Sequence, residues 1–389
     1  MPRLWFVLSE HPPGLYVAAD MAIYVERAGH WRAGSLSAVD TTTPPGWPAL
    51  LALAQALAPS SWATLVAWAH ALLGAATCAL VHRVAWRLGR SEAIALAASM
   101  ATALYLPLVV YEGLLLSETT SAFLVVLGAW LVLRASEQPA WRRCAAAGAA
   151  LGAATLVHAN LALALPLLFL FDRRIAWRVA AVALVPVVAA SALASHLVGH
   201  PCGVATNGGV NFFLAHSDFA AVRFPAGDPV EGIAPRPNML RGGDVYVATV
   251  HAWDEGAFYA LGLRELAHPP WRLLLDLRNV KDGLGLGALA YWPGWMAHQT
   301  LLRAFSRAYF WLALLPAAAH ALVLARRRAF VWRSARGWLW LAVLQAVAAL
   351  YLFLGDPRIR VPFDPLVLAL AGEAWIAAVR RVFPSWSLR

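Results

Sequence analysis

Nine apolar runs between residues 62 and 379 alternate with clusters of arginine, and that alternation constrains the fold more than any other feature of the chain. A helix that crosses a bilayer needs about 20 apolar residues, because the hydrocarbon core is about 30 Å thick and each helical residue rises about 1.5 Å. The run at 160–171 is shorter than that, so it must be partly re-entrant or sit in thinned bilayer. Composition excludes a soluble alternative. Hydrophobic residues make up 61% of the 389 positions and charged residues 13%, too little charge to cover a water-facing surface of that size. The chain therefore reads as an all-α polytopic membrane protein: a transmembrane helix bundle of about nine spans, with exterior loops and short interfacial helices. Nineteen tryptophans suit the two membrane interfaces.

The arginines give the bundle a direction. Arg83, Arg87 and Arg90 follow the first run, and Arg134, Arg142 and Arg143 separate the third from the fourth. Arg173, Arg174 and Arg178 come next, then Arg326, Arg327, Arg328, Arg333 and Arg336, and finally Arg380 and Arg381. The connections near Glu112–Ser117 and His158–Asn160 carry no lysine or arginine. Positive charge marks the cytoplasmic side, so the opposite face receives residues 1–60, those two connections, the long segment 199–303 and the turn 355–361. Four regions follow: an exterior loop with interfacial helices (1–60), the first part of the bundle (61–198), a large exterior loop (199–303), and the last part of the bundle with a cytoplasmic C-terminus (304–389). The net charge of +10 is accounted for by this placement, so the expected partner is the lipid bilayer and not nucleic acid.

Every polar feature of chemical interest falls on the one exterior face. Asp20 opens a short stretch whose spacing predicts an amphipathic surface helix with Ala22 and Ile23 toward apolar material. A carboxylate at the mouth of a bundle can serve as general base on a hydroxyl, and it can equally be a helix cap. Pro44-Pro45-Gly46-Trp47-Pro48 is a stiff turn that fixes the loop presenting Asp20. Glu118, after Ser117, stands at the mouth of the third span, where an ionisable group is costly unless paired or facing water; a capped helix start is the other reading. His158 and Asn160 lie where two spans meet, and His158 fits either a site wall or a hydrogen-bonded core position. Lys281, the sole lysine, offers a compact cation for a phosphate or a snorkelling anchor. Arg358 and Arg360 break the arginine rule by lying on the exterior side. They suit a lipid phosphate at the interface, or ion pairs with Asp356 or Asp364.

Segment 199–303 has mixed polarity, with turn signals at Asn207-Gly208-Gly209 and Pro235-Arg236-Pro237, a helix-like run from about Trp253 to Leu266, and Trp292 and Trp295 near its end. Cys78, Cys144 and Cys202 have no metal spacing and indicate no disulfide framework. His196 and His200 are four apart, but no Glu or Cys completes a zinc motif.

The order of these pieces resembles the GT-C superfamily of membrane glycosyltransferases, in particular the bacterial protein O-mannosyltransferase and aminoarabinose transferase group. The resemblance rests on Asp20 with Tyr24 in an early exterior loop, the Pro44–Pro48 turn, and Leu116-Ser117-Glu118-Thr119. Asn207-Gly208-Gly209-Val210-Asn211-Phe212-Phe213 and the late Arg358-Ile359-Arg360-Val361-Pro362 with Pro365 complete it. It implies an inverting enzyme of the inner (plasma) membrane, working on the exterior or periplasmic face. Such an enzyme moves a sugar from a polyprenyl-phosphate-linked donor to a hydroxyl of an acceptor that the sequence leaves unknown. It further implies Asp20 as base and Arg358, Arg360 and Lys281 on the phosphate; Tyr24, Glu118 and His158 are expected to line the substrate site. Met21 stands where the family often has a second acidic residue, so no metal and no cofactor are expected. The family also carries a transmembrane helix ahead of the Asp loop; Leu4–Leu8 is too short to be one, and that helix is expected to be missing. The competing readings are a transporter or flippase of a lipid-linked or polar solute, and a non-catalytic scaffold derived from the enzyme.

Overall fold

The computed structural model describes residues 2–219, 221–225, 244–267, 269, 271–286, 299–327, 333–353 and 355–383. The Pro235–Pro237 turn, Trp292, Trp295 and Arg328 lie outside the described residues. Helices α1 (Asp20–Ala33) and α2 (Gly46–Leu57) precede a long α3 (Trp62–Gly89). Next come α4 (Glu92–Leu104), α5 (Leu106–Glu112), α6 (Glu118–Glu137), α7 (Trp141–Val157), α8 (Ala164–Phe171) and α9 (Arg173–Val198). The long polar segment contributes α10 (Gly208–His216), α11 (Glu255–Ala267) and α12 (Leu277–Gly283). The chain then returns to the bundle through α13 (Gln299–Arg326), α14 (Ala335–Leu352) and α15 (Pro357–Val382). Among the described residues the only sheet is a parallel pairing of Ala221–Arg223 with Val245–Val247, so the fold is all-α as expected.

Helices α3, α6, α9, α13 and α15 are long and apolar enough to cross a bilayer, and α4 with α5 would add a sixth span bent by 51°. Pro107, in the first turn of α5, lacks the N–H that would continue α4, and the chain breaks at the extended Tyr105. The remaining apolar runs also fold as helices, but α7, α8 and most of α14 are shorter. Burial sorts them. The apolar window of α15 is 83% buried against α3, α4 and α13, whereas that of α9 is 11% buried, which makes α15 the centre of the bundle and α9 a lipid-facing helix.

Close packing of α7 on α9 follows from sequence. A Cβ at Gly148 would lie 2.5 Å from the Val179 carbonyl oxygen, and one at Gly152 would lie 2.9 Å from that of Ala183. Small residues four apart let two backbones touch, the contact that replaces the hydrophobic effect between helices in lipid. The polar segment keeps a small core of its own, with Val210, Phe213 and Phe258 buried between α10 and α11. Within it His216 Nδ1 lies 2.8 Å from Asp276, both side chains fully buried, and Thr206 N–H joins it to the rest by donating to the Thr41 carbonyl at 2.9 Å.

Candidate active site

Helix α1 starts under strain: Ala19 holds φ 51°, a conformation costly for a residue with a Cβ, and the next residue is Asp20. Within the protein, α1 buries Met21, Tyr24 and Ala28, at helical spacing, and leaves Ala22 and Ile23 uncovered by other parts of the chain. Arg27, one turn beyond Tyr24, donates to the hydroxyls of both Thr42 and Thr43, which pins α1 to the Thr43–Pro44 turn. His30 reinforces the joint, with Nδ1 2.8 Å from Asp40, itself in a capping box with Ser37. Trp47 anchors the far side of the turn by donating Nε1–H to the Leu115 carbonyl at 3.0 Å and stacking on His70.

Gly46 allows that turn to press against the end of α7, because a Cβ there would stand 2.7 Å from the Leu156 carbonyl oxygen. Backbone cannot step aside as a side chain can. Gly46→Ala is therefore expected to cost about 1–3 kcal/mol of stability and to loosen the wall between Pro44 and His158. Thermal unfolding of the purified variant checks this, and an unchanged Tm would count against the close approach.

Arg358 sits at the convergence point. Asp356 caps α15 by accepting its backbone N–H at 2.8 Å, and Pro357 takes the first helical position. The guanidinium Nη1 then donates to Asp20 at 2.6 Å, while Nε lies 2.7 Å from Glu118. Glu118 is fully buried and Asp20 is 37% exposed, so the arginine bridges a sealed carboxylate and an accessible one. Ser117 occupies the cap position of α6 without a side-chain capping bond.

Beside this cluster opens a cavity of about 280 Å³ lined by Tyr24, Thr43, Pro44, Ser117, His158, Asn160, Asn207, Gly208, Asn211, Tyr259, Phe353 and Arg358, among others. These residues come from all five segments that the arginine pattern places on one face. Burial pushes the Tyr24 phenol up to about 12, with Arg358 pulling the other way, and raises that of Tyr259 to about 12. His158, in the connection after α7, is lowered from 6.5 to about 4, by burial first and then by the positive Arg358. It is therefore neutral at physiological pH. A depressed histidine stabilises the fold fully above about 6.5, and the contribution is lost as pH falls toward about 4. Thermal unfolding should show that loss between those values for the wild type, and His158→Gln should flatten it. An equally steep pH profile in the variant would place the acid sensitivity elsewhere.

The expected residues thus separate. Asp20, Tyr24, Glu118, His158 and Arg358 come together around or behind the cavity. Arg360 does not line it. Its Nη1 donates to Asp364 at 2.9 Å and to the Tyr105 hydroxyl at 3.3 Å, and its Nη2 to Ser306 at 3.0 Å. Its Nε donates to the Gly283 carbonyl at 3.1 Å, and its guanidinium lies 4.3 Å from the Tyr309 ring centre. Lys281 is exposed on α12, whose buried side carries Asn279 and Gly283. Asn207, Asn211 and Tyr259 were not singled out as site residues by sequence. The first two belong to the Asn207–Phe213 stretch behind the family resemblance, whereas nothing in the local pattern marks Tyr259.

No protein-family model matches the chain, and no curated protein matches it. Among solved structures, the chain is similar to the archaeal oligosaccharyltransferase AglB from Archaeoglobus fulgidus, in complex with an inhibitory peptide and a dolichol-phosphate. The TM-score is 0.49 at 14% identity, over 100% of this chain and 51% of that one. The chain spans about half the length of that structure.

Proposed function

We propose that the protein is a membrane glycosyltransferase of the GT-C type that moves a sugar from a polyprenyl-phosphate donor to an acceptor hydroxyl, on the non-cytoplasmic face and with inversion. The observation that carries this reading is the junction of Asp20, Arg358 and the cavity, built from five separate segments that share one predicted face. A half-exposed carboxylate is available to a hydroxyl, and an arginine with further N–H groups beside it is a fitting partner for a phosphate.

In this reading Asp20 takes the proton of the acceptor hydroxyl as its oxygen attacks the anomeric carbon. The bond from that carbon to the phosphate oxygen breaks, and the electron pair leaves with the lipid phosphate. The guanidinium of Arg358 stabilises the charge that grows there. Glu118, sealed behind Arg358, keeps the guanidinium in place when Asp20 turns to the acceptor. The free lipid phosphate and the glycosylated acceptor are the products.

The test is transfer of labelled sugar from polyprenyl-phosphate donors by the full chain in proteoliposomes, with the anomeric configuration of the product read by NMR. Inverted product supports the reading. Retained configuration would remove Asp20 from the role of base, and the absence of transfer across a broad donor and acceptor panel would favour the transporter or scaffold readings.

A further inference from the structure

The cavity is polar, with a single charged corner. Among the described lining residues Arg358 alone bears a formal charge, and the rest of the polar wall is made of amides, hydroxyls and an imidazole. His158 adds no charge at physiological pH, since burial holds it neutral. Glu255 is not among the lining residues; it accepts the Gly203 backbone N–H at 3.2 Å, next to Gly208. Glu118 is committed to Arg358. The wall also holds Asn160, whose side-chain amide interacts with the His158 imidazole and whose backbone carbonyl accepts from Gln345 at 2.9 Å.

We infer that the donor sugar is a neutral, hydroxyl-only monosaccharide, bound by Asn160, Asn207, Asn211 and Tyr259, and that sugars bearing an ammonium or a carboxylate are poor ligands. This rests on the glycosyltransferase reading, in which the lipid phosphate sits at Arg358. With the phosphate there, the anomeric end of the ring lies at the charged corner and the remaining ring substituents face the amide wall. A hydroxyl can both give and receive a hydrogen bond, which matches amides and a phenol that offer both. An ammonium in that wall would be desolvated with no carboxylate among the lining residues to answer it, Asp20 being held by Arg358 at the charged corner, and a carboxylate would find no second cation. The volume of about 280 Å³ suits one sugar ring better than a chain of them.

The experiment measures binding of undecaprenyl phosphate, bare or carrying glucose, glucosamine or glucuronate, to the full chain in nanodiscs at neutral pH. The glucose-bearing lipid should bind most tightly, with the amino and acidic forms about tenfold or more weaker, the scale expected when a site's polar groups mismatch the ligand. Asn211→Asp should reverse the order for the glucosamine lipid by supplying the missing counter-charge, while Asn211→Ala should weaken the glucose lipid without favouring the amino form. Equal binding of all three glycosylated lipids, or tighter binding of glucosamine to the wild type, would overturn the inference and leave phosphate recognition standing. Failure of even the bare lipid phosphate to bind a folded protein would overturn the glycosyltransferase reading and this inference with it.

Discussion

Arg358→Gln is expected to lower kcat/KM for sugar transfer by about 10²–10³-fold, the scale seen when a preorganised donor to a developing anion is removed. The same change leaves Glu118 buried without its cation, and breaking such a pair costs about 3–5 kcal/mol of stability. Loss of activity alone is therefore ambiguous. The double variant Arg358→Gln, Glu118→Gln removes both charges, so thermal stability should largely recover while activity stays low. Recovery of both would show that Arg358 acts only as a structural partner of Glu118, and would move the phosphate elsewhere.

The second large effect belongs to Arg360. Asp364 is fully buried and accepts from Arg360 at 2.9 Å and from the Tyr105 hydroxyl at 2.7 Å, which ties α15 to the break between α4 and α5. Arg360→Met should lower stability by about 3–5 kcal/mol, because the carboxylate it leaves behind is sealed from water. Arg360→Met with Asp364→Leu should restore much of that loss, since a well-packed apolar pair replaces a buried ion pair at little cost. The folded fraction should keep a wild-type KM for the donor. A variant with normal Tm and a raised donor KM would instead make Arg360 a phosphate ligand, the role the sequence suggested.

That contrast shows where sequence reading stops. Arg358 and Arg360 flank Ile359, and as an extended segment they would present the same side to the interface. In the structure they stand in the first turn of α15, where residues two apart lie about 200° around the helix axis. One side of the turn faces Asp20 and the other faces Ser306 and Tyr105. The helical runs were legible because lipid leaves the backbone few options, and the arginine alternation grouped segments that all contribute to the wall of one cavity. Three kinds of information were missing. The depth of Glu118 depends on what packs over it, the facing of α1 depends on which neighbour covers Tyr24, and the entry of Tyr259 depends on how α11 docks on α10. Each is a contact between segments far apart in sequence, and no periodicity encodes it. Lys281 illustrates the same limit: it is the sole lysine, yet the buried side of α12 is set by Asn279 and Gly283.

The proposed chemistry turns on Asp20. Its most direct test is the single-turnover rate of sugar transfer by Asp20→Asn beside the wild type, in proteoliposomes preloaded with the same polyprenyl-phosphate donor. The predicted result is a rate about 10²–10⁴-fold lower, the usual contribution of a general base, with donor binding and thermal unfolding unchanged. Transfer by the variant at the wild-type rate would contradict the assignment of this carboxylate and of the site built around it.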